Sequence, residues 1–327
     1  MKRYNLERIK VLVTSACNSN CTHCFRSKEK NTEQISFEKL KEIIDFGIDN
    51  NCSCYSFSGG EFFTHPNAYD LILYCVSKGV NISILTNALE MDIDFFARMK
   101  SKELIAFQVS IDGKPDNHDL RRGKGSYDRT IQNVVELYKL GYKLSEKMVL
   151  DENNYRDLEY VLRLPWFSEC MVLPVAITGN KNIVFNREYE DTIELVYRRM
   201  INVYGDTFHC TGYPHEIAIK YDGRVYPCTE AREHDECLIG NINEQSLRDL
   251  LLSYEENDDK WIQCDCIKLP ECETCSKSGS CHGGCRLRAL RFHGDISKPD
   301  PFNCRLFNNA YSDMPIGQLI WGIKTER

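Results

Sequence analysis

The sequence predicts an α/β protein, a partial (β/α)6 TIM-like barrel carrying a cysteine-rich extension at its C-terminal side. Two observations predict it. Six short apolar runs alternate with helical patterns as far as Tyr204, and the cysteines are segregated, ten of the seventeen crowding between positions 210 and 304. The runs are 9–13 (IKVLV), 54–58 (CYSFS), 81–85, 104–111 (LIAFQVSI), 143–150 and 170–177, short enough and apolar enough to be fully buried strands. Between them, Phe37, Leu40, Ile43 and Ile44 follow the cap Ser36 at helical spacing. Further helices are expected at 68–78, 93–99, 130–140, 158–164 and 192–204. Strict alternation of strand and helix calls for a parallel sheet with right-handed crossovers, whose chemistry lies at the carboxyl ends of the strands. A turn signal at Tyr204-Gly205-Asp206 divides the chain, giving expected domains at 1–205 and 206–305 and a tail at 306–327.

Composition excludes several classes of function. The chain has 327 residues, 42% of them hydrophobic, enough to bury a sizeable core. A net charge of -7 without a basic stripe argues against nucleic acid or an anionic membrane as the main partner. No apolar run approaches the roughly 18 residues of a membrane span, and the first ten residues have no signal-peptide core, so the cytoplasm is the expected compartment. In that compartment a high cysteine content points to metal or redox chemistry rather than to a disulfide scaffold.

Directly after the first strand, TSACNSNCTHCF presents Cys17, Cys21 and Cys24. Three thiolates hold three corners of a metal centre and leave the fourth open. Structural zinc closes its shell with four protein ligands, and His23, wedged between Cys21 and Cys24, is poorly placed to be one. A [4Fe-4S] cluster with one iron free to bind a ligand fits the spacing better. Here the sequence resembles the radical S-adenosylmethionine (SAM) superfamily, with its C-x3-C-x2-C loop and an aromatic residue, Phe25, after the third cysteine.

The resemblance extends along the barrel. Gly59-Gly60-Glu61 in SFSGGEFF ends the second strand, as the family's segment that takes the SAM amino group does; glycines let backbone approach, and an ammonium group needs acceptors. FQVSIDG and HDLRRGKGSYDRTIQNV resemble the subfamily that matures peptides and sulfatases. By that resemblance Ser110 contacts the SAM ribose and Arg122 its carboxylate, a bidentate task suited to guanidinium. The plain reading of Arg121 and Arg122 is a solvated loop pair. Asn87 in ILTNA is a further candidate for the pocket lining, its plain reading a satisfied turn asparagine.

In the extension, Cys210, Gly223-x4-Cys228, Cys272-x2-Cys275-x5-Cys281-x3-Cys285 and Cys304 resemble the SPASM domain, a radical SAM extension with two auxiliary iron-sulfur clusters. The resemblance assigns Cys272, Cys275, Cys281 and Cys304 to an outer cluster, and Cys210, Cys228 and Cys285 to an inner one. The position from which some relatives supply a fourth inner ligand is Tyr204, so Cys237, Cys264 or Cys266 fills that corner or it stays open. A zinc ribbon would also use CxxC pairs, which keeps a zinc-stabilised binding module as the alternative outside enzymes.

The chemistry implied by the resemblance is reductive cleavage of SAM to methionine and a 5'-deoxyadenosyl radical, which abstracts hydrogen from unactivated carbon. The cofactors supply that chemistry, and the protein orients and excludes water. Auxiliary clusters suit oxidative exits, so the expected function is oxidative modification, a cross-link in particular, of a ribosomally made peptide. Electrons would come from a flavodoxin- or ferredoxin-type donor. Sulfatase-maturing relatives carry a proposed aspartate base after the YPC cysteine, where this chain has Thr229 and then Glu230, which leaves Glu230 as a displaced base or a solvated carboxylate. With the first strand beginning by Ile9, no leader-recognition domain is expected, and a peptide would be presented by a separate recognition protein or bound by the barrel and the tail itself. The alternatives are maturation of a protein residue or a small-molecule cofactor, and epimerisation, which needs a thiol donor such as Cys52, Cys54, Cys75 or Cys170. The apolar IGQLIWGI of the tail either docks a partner or packs on its own barrel.

Overall fold

The computed structural model describes residues 6–24, 32–174, 186–204, 212–257 and 269–322. Phe25, Cys210, Cys264 and Cys266 lie outside them. Six parallel strands follow one another across the sheet in sequence order: β1 (Arg8–Thr14), β2 (Cys54–Gly59), β3 (Asn81–Thr86), β4 (Ile105–Ser110), β5 (Lys143–Leu150) and β6 (Glu169–Pro174). The sheet is open, with β6 at one edge. Beyond β1, β7 (Glu216–Ile219) adds in parallel, and β8 (Arg224–Tyr226) and β9 (Gly240–Asn241) add antiparallel, so part of the cysteine-rich extension continues the barrel sheet.

The helices are α1 (Phe37–Asp49), α2 (Ala68–Ser77), α3 (Ile93–Arg98), α4 (Pro115–Arg122), α5 (Ser126–Lys139), α6 (Leu158–Val161), α7 (Arg187–Tyr204), α8 (Leu247–Asn257), α9 (Pro270–Glu273), α10 (Ser278–Cys281), α11 (Arg286–His293), α12 (Pro301–Asn308) and α13 (Ile316–Trp321). Local chemistry starts several of them. Ser36 accepts from the Lys39 amide (3.3 Å) and Asp92 from that of Phe95 (2.9 Å), each satisfying a donor that the first helical turn leaves open. Helix α4 departs from the expected loop: Pro115 occupies its first turn and Gly123, at φ +110°, ends it.

Two compact units result, one from 1–178 and 215–250, the other from 179–214 and 251–327. The cut differs from the expected boundary at 205/206 because β7–β9 hydrogen-bond onto the barrel sheet, whereas α7 packs with the last two helices. In the tail, Ile316, Leu319 and Ile320 are buried, and their helix packs with α7, α11 and α12 of its own unit.

Strand parity separates two faces of the barrel sheet. Tyr55, Phe57, Ile84, Phe107 and Met148 are fully buried on the helix side, where Tyr55 donates to the Ile44 carbonyl (2.7 Å) and Phe107 meets Phe96 and Tyr142 edge-on. Ser56, Ser83, Gln108, Ser110, Ser145 and Lys147 alternate with these residues and face the barrel interior. A carboxyl is also buried on the helix side. Glu146 is 2% exposed, its Oε2 has no partner, and its strand neighbour is Cys170. Burial raises the Glu146 carboxyl to about 7, with a smaller opposing effect from Cys170. Below the unfolded value near 4.3 both states are protonated and nothing is lost, whereas above pH 7 folding bears the whole cost of a buried charge. Glu146→Gln is therefore expected to gain on the order of 2–3 kcal/mol over wild type at pH 8 and nothing at pH 4, read by anaerobic urea denaturation at both pH values.

Candidate active site and cluster sites

At the carboxyl ends of β1 to β5 the predicted residues come together. The loop after β1 carries Cys17, Cys21 and Cys24, all unpaired and close enough for the charges of Cys21 and Cys24 to act on Cys17. The end of α4 holds this loop. Carbonyls in a last helical turn lack intrahelical partners, and here Arg121 O accepts from the Thr22 amide (2.9 Å) and Arg122 O from the Ser19 hydroxyl (3.0 Å). Ser19 Oγ also stands 3.4 Å from Cys21 Sγ.

The glycine motif abuts the same loop. Gly59 has φ +151°, and a Cβ there would fall 2.4 Å from the Thr14 carbonyl, so only glycine lets β2 end against β1. The Gly60 amide donates to that carbonyl (2.8 Å) and the Glu61 amide to Ala16 O (2.9 Å). Glu61 itself is 2% exposed, and its carboxylate accepts from Thr86 Oγ1 (2.6 Å) and the Asn87 amide (2.7 Å). Burial pushes this carboxyl up against the pull of those donors. Its visible work is to tie β2 to the end of β3. Asn87 then reaches the loop, donating to Asn18 Oδ1 (2.8 Å) while its own Oδ1 accepts from the Leu89 amide (2.9 Å). It is the turn asparagine and also ties the end of β3 to the cysteine loop.

Arg121 and Arg122 are not a solvated pair. Arg122 Nε donates to Asp112 Oδ2 (2.6 Å), and Arg121 pairs with Asp151 and donates to Val149 O (3.0 Å). Asp112, wholly buried, also faces His23 Nε2 (3.2 Å) and accepts from the Val149 amide (2.9 Å). Burial pushes its carboxyl up, but Arg122, His23, Arg121 and the Val149 amide outweigh this and hold it well below the usual carboxylate range. Nothing in the SIDG sequence around Asp112 signals this role, because its partners are distant in the chain. Ser110 closes β4 two residues earlier, half-buried on the interior face.

His23, the alternative zinc ligand, is thus turned toward Asp112. Among the described residues no three His, Cys, Asp or Glu side chains gather as a mononuclear ion requires. A cubane's thiolates stand further apart, and three close thiols beside the Arg122 guanidinium, which feels the charges of Cys21 and Cys24, fit an iron-sulfur cluster.

In the other unit, Cys272 (α9), Cys275, Cys281 (end of α10) and Cys304 (α12) are also brought together, since the charges of the first three act on Cys304. Burial raises the thiols of Cys281 to about 11 and Cys304 to about 12. Asn308 Nδ2 lies 3.1 Å from Cys275 Sγ and Asn303 Nδ2 3.8 Å from Cys281 Sγ, amide-to-sulfur contacts of the kind that orient cluster thiolates. Cys285 precedes α11, its amide donating to Asp300 Oδ2 (2.9 Å). In the barrel unit Cys228 follows β8, and Gly223, φ +86°, makes the hairpin that returns β8 onto β7, which accounts for the glycine in that spacing. Cys237 is buried in a short turn of the same unit. Glu230 opens the turn Thr229–Glu233 and is exposed.

Residues 11–164 match the radical SAM superfamily, and residues 210–282 match SPASM, an iron-sulfur cluster-binding domain. The chain is a radical SAM enzyme with a SPASM domain. The Bacillus subtilis antilisterial bacteriocin subtilosin biosynthesis protein AlbA is 25% identical, over 85% of this chain and 66% of its own length. An AdoMet-dependent heme synthase of Methanosarcina barkeri is 22% identical, over 89% of this chain and 94% of its own. Among solved structures, Streptococcus suis SuiB bound to S-adenosylmethionine superposes with a TM-score of 0.70 at 17% identity, covering 90% of this chain and 76% of that one. No helix among the described residues is long and apolar enough to cross a membrane.

For the radical SAM chain, Asp112 is the test of the site's architecture. Asp112→Asn strips the buried Arg122 guanidinium of its counter-charge, a loss of about 3–5 kcal/mol. Because the native carboxyl is depressed, its contribution is complete above the unfolded value near 3.9 and drains away as pH falls below it. Anaerobic urea denaturation should therefore show the full deficit at pH 7 and a shrinking one below pH 4, and iron analysis should show less cluster in the Cys17 loop.

Proposed function

We propose that this enzyme oxidatively modifies, by cross-linking, a ribosomally synthesised peptide. The carrying observation is that the chain has both a three-cysteine loop meeting Gly59-Gly60, Asn87 and Arg122, and a gathered four-thiol set in the second unit. Bound cluster and SAM supply the radical initiator. Cys17, Cys21 and Cys24 would hold the cluster; the Gly59-Gly60 backbone, Ser110 and Arg122 would take the amino, ribose and carboxylate parts of SAM, with Phe25 beside the loop. Asp112 keeps Arg122 oriented, and Glu61 fixes the glycine turn from behind.

Cys272, Cys275, Cys281 and Cys304 would hold an outer auxiliary cluster, and Cys210, Cys228 and Cys285 an inner one, so that electrons from the substrate radical leave by relay. A flavodoxin- or ferredoxin-type donor would start the cycle, with a separate recognition protein presenting the peptide leader. Support for a peptide comes from the named role of AlbA in bacteriocin biosynthesis and from SuiB, which has been solved bound to its precursor peptide SuiA. Epimerisation is less well supported. Cys54 begins β2, Cys170 is the second residue of β6, Cys52 precedes β2, and Cys75 is buried in α2, so none stands at the carboxyl ends of the strands.

The similarity to a heme synthase over nearly its full length favours a second reading, a porphyrin substrate. Anaerobically reconstituted protein with dithionite and SAM is expected to form 5'-deoxyadenosine, and replacing Cys17, Cys21 and Cys24 by Ala is expected to abolish it, measured by liquid chromatography. Mass spectrometry of peptides encoded beside the gene should then reveal a product lighter by one hydrogen pair. Turnover of an iron porphyrin and of no peptide would establish the second reading instead.

A further inference from the structure

The barrel interior holds a cation, Lys147, with no partner among the described residues. Lys147 lies on the interior face of β5, paired in register with Ser110 of β4 on one side and Met171 of β6 on the other. Gln108 Nε2 lies 3.9 Å from Met171 Sδ, reaching across β5 on this same face, which fixes where Lys147 points. The neighbouring cations are engaged. Lys10 pairs with Glu216 (2.8 Å), Arg122 with Asp112 (2.6 Å), and Arg232 with Glu233 (3.4 Å). Lys147 is half-buried, and its ammonium has no ion pair and no hydrogen bond to any described residue. The charges that act on it are Glu230, which favours the ammonium, and Arg232, Lys10 and Arg122, which oppose it. Burial, the largest effect, lowers it to about 8, so at neutral pH it remains largely charged.

A half-buried ammonium without a counter-ion carries part of the cost of desolvation, and a ligand that brings one recovers it on binding. Around Lys147 this face carries the uncharged Gln108, Ser110, Ser145 and Met171, while Lys10 and Glu216, further along it, pair with each other. It leaves room for a substrate chain while supplying no competing acid beside Ser110. Resting on the peptide reading above, we propose that Lys147 anchors a carboxylate of the substrate peptide, an acidic side chain held inside the barrel beside the SAM ribose position. Lys147 thereby sets specificity, placing the carbon neighbouring an Asp or Glu residue against the radical initiator.

The test uses reconstituted holoenzyme with SAM and three probe peptides: acetyl-Ala-Glu-Ala-amide, acetyl-Ala-Gln-Ala-amide, and acetyl-Ala-Gln-Ala with a free C-terminal carboxylate. Anaerobic calorimetry should show the Glu peptide binding at least tenfold more tightly than its neutral counterpart. That preference should vanish in Lys147→Met and persist in Lys147→Arg, with thermal melts showing that both variants fold. Preference for the free C-terminus over the Glu side chain overturns the side-chain assignment. Equal or undetectable binding of the Glu and Gln peptides overturns the site, as does a Lys147→Met protein that keeps the preference. A Lys147→Met protein that loses SAM affinity but keeps the peptide preference assigns the residue to the cofactor and equally overturns the proposal. Parallel measurement of 5'-deoxyadenosine from wild type distinguishes failure of this site from failure of the radical reading.

Discussion

The site depends on one buried carboxylate. Asp112 sits where β4 gives way to α4, and its two oxygens meet a guanidinium from the end of α4, an imidazole from the cysteine loop and a backbone amide from β5. No single contact of this kind would justify burying a charge, because desolvation outweighs one ion pair; several partners at hydrogen-bond distance reverse that balance. The geometry also transmits position. Because Arg122 is fixed by Asp112 and its carbonyl holds Ser19, the loop presenting the three thiols is registered to the sheet through a side chain and a helix end together. A looser loop would still carry the cysteines, but their spacing to Gly59 and Ser110 would no longer be set by the sheet.

That registration explains why the two faces of the barrel differ so sharply. The helix side is apolar and aromatic, with Phe57, Phe62, Phe96 and Phe107 in contact, and supplies the rigidity that a preorganised site needs. Phe63 spans the turn after Glu61 and stacks toward Tyr69 and Phe96, so the glycine motif is backed by packed rings as well as hydrogen bonds. The interior face carries serines, a glutamine and lysines, residues that would be errors in a closed core and are reasonable where a polar cofactor and substrate complete the packing.

How much of this was legible in the sequence follows from which signals are local. The six barrel strands are legible because each is a short apolar run between turn residues, and the cysteine loop and glycine motif stand out as motifs because their spacing is local in sequence. Helix α4 was missed because PDNHDLRR has no apolar stripe: it is held by its Pro115 start, its Gly123 stop and the ion pairs of Arg121 and Arg122, none of which periodicity detects. The strands β7 to β9 were missed because they are four, three and two residues long, and their membership in the barrel sheet is a matter of distant pairing. In KLSEKMVL the two polar residues Glu146 and Lys147 are adjacent in sequence yet face opposite sides. Only the register with Ser110 and Cys170 separates a buried helix-side acid from an interior cation.

The same electrostatic logic recurs independently in the second unit. Arg286 is 1% exposed and binds only carbonyls, those of Ile296 (2.9 Å), Lys298 (3.1 Å), Gly283 and Gly284, with no acidic partner among the described residues. Carbonyls satisfy its donors but leave its charge uncompensated, an arrangement that is expensive in isolation. Its field falls on Cys272, where it favours the thiolate against burial. Cys272, Cys275, Cys281 and Cys304, gathered in the same unit, would as thiolates on a cluster carry the negative charge that this arginine lacks, whereas Arg122 in the barrel unit already has Asp112. In the second unit, then, a cluster and the fold would be stabilised through the same cation.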